Sequence, residues 1–204
     1  MIVIIDYGMG NLKSVYNALK KLNIPCKISD NIEEIKLAKA LILPGVGAFP
    51  DAMENLNNSG LVSIIKEKVK DGCPLLGICL GMQMLFEKGY EGIEKEGLGF
   101  IEGTVELMKP IENVKIPHIG WNRLEITQEN KLLEGLIDES FVYYVHSYCA
   151  TGVNEKSLVA YSEYGGIHLT GLVCKDNVMG AQFHPEKSGE VGLQILRNFW
   201  GMVK

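Results

Sequence analysis

Cys79 stands within Gly77-Ile78-Cys79-Leu80-Gly81, directly after the apolar run Pro74-Leu75-Leu76. Glycines on both sides of a nucleophile at the end of a strand permit a sharp strand-to-helix turn, the thiol counterpart of the G-x-S-x-G elbow. Such a turn places the sulfur where the N–H groups of a helix start favour a thiolate and stand ready for a neighbouring oxyanion. The competing reading is a buried structural thiol, common for free cysteine and the one adopted for Cys73. A nucleophilic thiol also needs a base, and Gln182-Phe183-His184-Pro185-Glu186 offers one with a carboxylate two residues on. Pro185 biases His184 to an extended backbone, in which residues two apart project to the same side. Glu186 would then hold the imidazole in the tautomer that accepts the thiol proton. On these residues the chemistry is nucleophilic attack by Cys79 with His184 as base and Glu186 as its orienter.

The four histidines, His118, His146, His168 and His184, show no H-E-x-x-H spacing. His146 and Cys149, three apart, are set aside as a metal pair, and neither a metal nor a cofactor is expected.

The elements that must position these residues alternate over the first 90 positions between short apolar runs and helical periodicity, the pattern of βαβ units around a parallel sheet. Strands are predicted at 2–6, 26–29, 40–43 and 75–78. A helix after the first strand places Leu12, Val15, Tyr16, Leu19 and Leu22 on one face, and another spans 61–71. Between 99 and 182 the chain reads as β-rich, with strands at 101–108, 123–127, 141–148, 158–162, 172–175 and 178–182, an antiparallel extension of the sheet. The last of these puts His184 and Glu186 at a strand's carboxyl end, where open α/β sheets carry their sites. A closing helix at 189–204 gathers Leu193, Leu196, Phe199, Trp200 and Val203 on one face. The expected fold is α/β, an open mixed sheet with a parallel core, an antiparallel extension and helices on both faces. One domain over 1–204 is expected, since 204 residues suit one large core.

A composition of 47% hydrophobic and 22% charged residues is that of an ordinary globular protein, and a net charge of −5 gives no footprint for nucleic acid. The start of the chain lacks a basic signal-peptide region, and no apolar run approaches the ~20 residues that span a bilayer. Five cysteines without a C-x-x-C pair favour reduced thiols and a cytoplasmic location.

Taken together, Gly77 to Gln83, Pro44-Gly45-Val46-Gly47 and Phe183-His184-Pro185-Glu186-Lys187-Ser188 resemble the triad-type (class I) glutamine amidotransferases. More narrowly, Pro117-His118-Ile119-Gly120-Trp121-Asn122, Tyr144-Val145-His146-Ser147-Tyr148 and Ile5 to Leu12 resemble the glutaminase subunits of imidazole glycerol phosphate synthases, from histidine biosynthesis. The resemblance runs over essentially the whole chain. It implies a glutaminase that attacks the side-chain amide of L-glutamine with Cys79, moves protons with His184 and orients His184 with Glu186. It implies backbone N–H groups of Val46 and Leu80 at the oxyanion, and Gly47, Gln83, Glu91 and Ser147 around the bound glutamine. It also implies a heterodimer with a (β/α)-barrel cyclase subunit that takes up the ammonia, with Asn11, Trp121 and Lys187 on the partner-facing side. A paralogue could instead feed a different synthase, such as a sugar-amidating enzyme.

Three other readings compete. Gly8-Met9-Gly10 after the first strand, with Asp30 about twenty residues on, partly matches a dinucleotide fingerprint, but Lys13 replaces the third glycine. A cysteine peptidase or related hydrolase would use the same elbow without a partner or glutamine-holding residues. A non-catalytic binding subunit would not need Cys79, His184 and Glu186 together.

Overall fold

The computed structural model describes residues 1–137 and 140–203. Along the chain run β1 (Ile2–Ile5), α1 (Leu12–Lys21), β2 (Cys26–Ser29), α2 (Ile32–Lys36), β3 (Ala40–Gly45), α3 (Phe49–Asn58), α4 (Val62–Lys70) and β4 (Leu75–Cys79). There follow α5 (Leu80–Gln83), β5 (Phe86–Gly89), β6 (Lys95–Glu96), β7 (Ile101–Leu107), β8 (His118–Arg123) and β9 (Glu125–Ile126). The last third holds β10 (Phe141–His146), β11 (Tyr148–Thr151), β12 (Leu158–Tyr164), β13 (Ile167–Lys175), β14 (Val178–Ala181) and α6 (Gly189–Gly201).

The main sheet has eight strands in the order β2-β1-β3-β4-β14-β13-β12-β9. Strands β2, β1, β3, β4 and β14 are parallel, and β13, β12 and β9 extend the sheet antiparallel. β1, β3, β4 and β14 are buried along their whole length, as expected of strands covered on both faces. Val3, Ile5, Leu41, Leu43 and Leu75 point to one face, into a core with Ile35 of α2, Phe49, Met53 and Leu56 of α3, and Ile64 and Ile65 of α4. Ile2, Ile4, Ile42, Leu76 and Ile78 point to the other, against Val15 and Leu19 of α1 and Leu193, Leu196 and Phe199 of α6. Fully burying one such aliphatic side chain is worth about 1.5–3 kcal/mol, so the two cores hold the sheet rigid beneath the site.

Several boundaries differ from expectation. The strand expected at 141–148 breaks at Ser147: β10 pairs with β8 in a separate two-stranded ribbon, while β11 joins a four-stranded sheet ordered β11-β7-β5-β6. The strand expected at 123–127 contracts to Glu125–Ile126, and the one expected at 172–175 begins earlier, at Ile167. The segment after the elbow makes a single helical turn and then strand β5. Helices α2 and α3 and strand β8 were not anticipated. The closing helix ends at Gly201, and Lys204, its expected last residue, lies outside the described residues. No helix among the described residues is long and apolar enough to cross a membrane.

Candidate active site

Cys79 ends β4 with φ +55° and ψ −113°, a backbone conformation that costs a non-glycine residue about 1–3 kcal/mol and persists only where neighbours hold it. Three glycines do the holding. A Cβ on Gly77 would lie 2.6 Å from the Gly81 carbonyl oxygen, one on Gly81 would lie 1.8 Å from that of Leu43, and one on Gly45 would lie 2.8 Å from the Gly81 nitrogen. The elbow therefore closes backbone to backbone over β3, which brings Val46 and Gly47 beside Cys79 and Leu80. Because α5 is one turn long, the helix dipole behind the sulfur is smaller than the sequence reading assumed.

Beyond β14 the chain is pinned to β10. The His184 N–H donates to the Tyr143 carbonyl at 3.0 Å, the Tyr143 N–H donates to Ser188 Oγ at 2.9 Å, and Ser188 Oγ donates to the His184 carbonyl at 2.7 Å. His184 is extended, as Pro185 requires, but Pro185–Lys187 forms a 3₁₀ turn. Glu186 thus reaches His184 around a turn rather than along one side of a strand, a correction to the expected geometry. The contact itself is made, with His184 Nδ1 donating to Glu186 Oε1 at 2.8 Å and both side chains almost fully buried. A carboxylate can only accept, so the ring carries its proton on Nδ1 and turns Nε2 toward the thiol's side. His184 Nε2 and Glu186 Oε2 make no hydrogen bond with any described residue. Burial pushes the imidazole pKa down, but Cys79 and Glu186 outweigh it and raise it to about 9.

These residues border one cavity of about 310 Å³, lined by Val46, Gly47, Cys79, Leu80, Gln83, Glu91, Val145, His146, Ser147, Tyr148 and His184. All the expected oxyanion and glutamine-holding residues are on that lining. Gln83, far from a solvated helix residue, is 4% exposed. Its Nε2 donates to the Tyr148 carbonyl at 2.9 Å and to Gln182 Oε1 at 3.0 Å. A carbonyl must receive an N–H, so the amide orientation is fixed, both Nε2 hydrogens are spent, and Oε1 is what Gln83 can offer to a ligand. Glu91 also has a structural tie: its Oε2 accepts the Phe49 N–H at 2.7 Å, capping α3, whose own N-cap residue, Ala48, supplies no side-chain bond.

The sequence reading missed His146 and Gln182. In the sequence His146 carries a discounted metal spacing to Cys149 and a place in the Tyr144 to Tyr148 motif, but no role of its own. Its Nδ1 lies 2.9 Å from the Tyr148 carbonyl and so carries the proton, which leaves Nε2 to accept from His118 Nδ1 at 3.3 Å. Burial lowers the pKa of both histidines to about 4. Gln182 was signalled by its position two residues before His184 on the same approach to the site.

Asn11, Trp121 and Lys187 do not line the cavity. Trp121 is 55% exposed on the ribbon, edge-on to Tyr143 at 6.0 Å, with Lys187 Nζ 5.9 Å from the same Tyr143 ring. Asn11 sits at the start of α1 without a side-chain capping bond. The Gly8–Gly10 turn is open at Gly8, where a Cβ would meet nothing within 4 Å, and packed at Met9 and Gly10. A Cβ on Gly10 would meet Pro44 at 3.4 Å, one on Gly47 would meet the Met9 methyl at 2.9 Å, and Asn55 Nδ2 contacts Met9 Sδ at 3.0 Å.

A model of the family described as glutamine amidotransferase class-I matches residues 3–202. A Lactococcus lactis subsp. lactis protein named imidazole glycerol phosphate synthase subunit HisH is 52% identical over 198 residues, 97% of this chain and 96% of that protein. One of the same name from Caldanaerobacter subterraneus subsp. tengcongensis is 53% identical over 205 residues, 100% of this chain and 99% of that one. Among solved structures, the chain is similar to a crystal structure of a glutamine amidotransferase, with TM-score 0.78 and 23% identity over 100% of this chain and 99% of that one. It is also similar to PurLQS from Thermotoga maritima, with TM-score 0.75 and 16% identity over 100% and 98% of the two chains. At those identities the structural likeness speaks for the fold.

Proposed function

Since the chain belongs to the class-I glutamine amidotransferases, we propose that it is the glutaminase subunit of an imidazole glycerol phosphate synthase, releasing ammonia from L-glutamine for histidine biosynthesis. The full-length relatives at about half identity bear that synthase's name, which disfavours a paralogue serving sugar amidation. The observation that carries the catalytic assignment is His184, held through Nδ1 by Glu186 while Nε2 is left unpaired beside Cys79.

In this reading Cys79 gives its thiol proton to His184 Nε2 as Sγ attacks the glutamine side-chain carbonyl carbon, and the electron pair of the C=O bond moves onto oxygen. Backbone N–H groups of Leu80 and Val46 receive that oxyanion, a donor pair in which each member is worth roughly 10²–10³ in kcat. Collapse expels the amide nitrogen, which takes the proton from His184 Nε2 and leaves as ammonia. An imidazole pKa raised to about 9 keeps that proton available at neutral pH. Water then gives a proton to Nε2 as it attacks the thioester carbon, and the C–S bond breaks to release glutamate and the thiolate. At the far end Gln83 Oε1 and the Glu91 carboxylate are acceptors suited to the substrate's α-ammonium group. Backbone groups of Gly47 and Ser147 complete the glutamine site.

Ammonia released to water is protonated and lost as a nucleophile, so the acceptor has to be bound. The partner we assign is a (β/α)-barrel cyclase subunit, paired one to one in the cytoplasm. Its docking face is the outer side of the β8–β10 ribbon, where Ile119, Trp121, Phe141 and Val145 are exposed, with Lys187 at the margin, and Asn11 at the start of α1 is assigned to the same partner. Replacing Cys79 by Ala in the assembled synthase should abolish glutamine-dependent product formation and leave synthesis from added ammonia nearly intact. Glutaminase activity surviving in that variant would end the assignment.

A further inference from the structure

The glutamine site and the sulfur are joined by a side chain that lies outside the cavity. Gln182 is 0% exposed, at the end of β14, with its backbone N–H bonded to the Gly171 carbonyl at 2.9 Å. Its Oε1 accepts from Gln83 Nε2 at 3.0 Å and its Nε2 points at Cys79 Sγ at 3.8 Å. The direction of this chain is not a matter of choice. The Tyr148 carbonyl fixes the Gln83 amide as donor, Gln83 then fixes Gln182 Oε1 as acceptor, and the Gln182 NH₂ is left facing the sulfur.

We propose that Gln182 is a positioning residue for the glutaminase reaction: its buried amide donates to Cys79 Sγ and at the same time aims Gln83 at the substrate. A thiolate accepts hydrogen bonds and a thiol does so poorly, so the Gln182 donor favours the reactive form of the sulfur. Besides His184, Cys79 Sγ lies 4.0 Å from the Val145 carbonyl, which can engage the thiol but not the thiolate. The two contacts thus oppose one another across the proton that His184 must handle. Through Oε1 the same residue holds Gln83 with its own acceptor toward the cavity. Gln182 touches neither substrate nor reacting carbon in this scheme; it acts through Cys79 and Gln83. A purely structural amide would require only that its hydrogen bonds be satisfied.

The inference rests on the glutaminase reading above, and two variants separate it both from that reading and from a structural role. Gln182→Met removes donor and acceptor at similar volume. Gln182→Glu keeps an acceptor facing Gln83 but sets beside the sulfur either a negative charge or a proton that the thiolate will take. Alkylation of Cys79 by iodoacetamide, followed on its own peptide by mass spectrometry, reads the sulfur; steady-state glutaminase kinetics of the assembled synthase read the substrate site. We expect alkylation at neutral pH to slow by about tenfold in both variants, the scale of a hydrogen bond to a charged group. We expect KM for glutamine to rise in Gln182→Met and to stay near wild type in Gln182→Glu. Wild-type alkylation rates in both variants, with melting temperatures that report folded protein, would overturn the proposal. So would a Gln182→Glu enzyme whose KM rises as far as that of Gln182→Met. A wild-type synthase with no glutaminase activity would instead refute the function itself, whatever the alkylation rates.

Discussion

His184 joins two partners that both stabilise its charged form, Cys79 on one side and Glu186 on the other, against a burial that favours the neutral ring. Its pKa is about 9 in the folded chain and about 6.5 when unfolded, so the folded state holds the proton more tightly. The stability this contributes is fully present below pH ~6.5 and is lost as pH rises through about 9. Denaturant unfolding should therefore show stability falling by about 2 kcal/mol between pH 6.5 and 9.5, after allowance for relaxation around the pair. The fall should be smaller in Cys79→Ala, where one of the two supporting partners is gone; an unchanged fall would mean that another group carries it. For catalysis, Glu186→Gln should be about a hundredfold less damaging than Cys79→Ala, since an orienter contributes less than a nucleophile. Single-turnover glutaminase rates of the two variants make that comparison. The elbow at Cys79 and the pairing of His184 with Glu186 were legible in the sequence because each sits in a short local motif. Gln182 was harder to see, because its partners Gln83 and Cys79 are 99 and 103 positions away and only the closed sheet brings them together.

Strand β4 and the elbow after it show how tightly an element can be specified. Gly81→Ala would press its Cβ against the Leu43 carbonyl, and backbone on both sides leaves little room to yield. We expect destabilisation at or above the upper end of the roughly 1–3 kcal/mol usual for overpacking, with loss of glutaminase activity. A folded, active Gly81→Ala protein would show that the elbow can open. The parallel strands were readable because both of their faces are buried, which makes each a continuous apolar run. Other elements were hidden for particular reasons. Helix α3 carries Pro50 at its start and three asparagines, although Phe49, Met53 and Leu56 keep helical spacing. Strand β8 has its polarity reversed: His118 is buried, whereas Ile119 and Trp121 are exposed, the inverse of the alternation that marks a half-buried strand. Across the ribbon His118 faces His146, and both are held neutral by burial with pKa values of about 4. A depressed histidine contributes stability above its unfolded pKa and loses it as pH falls. The chain should accordingly weaken between pH 6.5 and 4, by on the order of 2 kcal/mol per histidine. A His118→Phe variant should flatten that limb, and an unaltered acid limb would point to the carboxylates instead.

At the scale of the whole molecule, the exposed apolar side of β8 and β10 meets the mouth of the cavity, where Val46 is 43% exposed and Val145 is 36% exposed. Contiguous apolar surface beside a site marks a place where another chain binds, and in the proposed assembly that chain receives the ammonia. Trp121→Ala should loosen the seal, so that glutamine hydrolysed exceeds product formed; a ratio that stays at one would return Trp121 to a structural role. The same contact bears on when the site is active. Val46 lies between Gly45 and Gly47, and Gly47 already occupies φ +98°, which few other residues adopt. The Val46 N–H belongs to the Gly45–Val46 peptide unit, and Gly45, where a Cβ would come within 2.8 Å of the Gly81 nitrogen, puts no side chain in the way of its turning. A peptide unit free to rotate there can turn the second oxyanion donor toward the substrate or away from it. A partner seated on the neighbouring ribbon shifts that balance only by binding one loop state better than the other. Loss of one oxyanion donor lowers kcat by roughly 10²–10³, and the isolated chain should hydrolyse glutamine more slowly than the assembled synthase by that factor. Turnover measured with and without the partner and its acceptor substrate gives the answer. Equal rates would mean that both donors are in place before the partner arrives, and that the glycines serve only the turn.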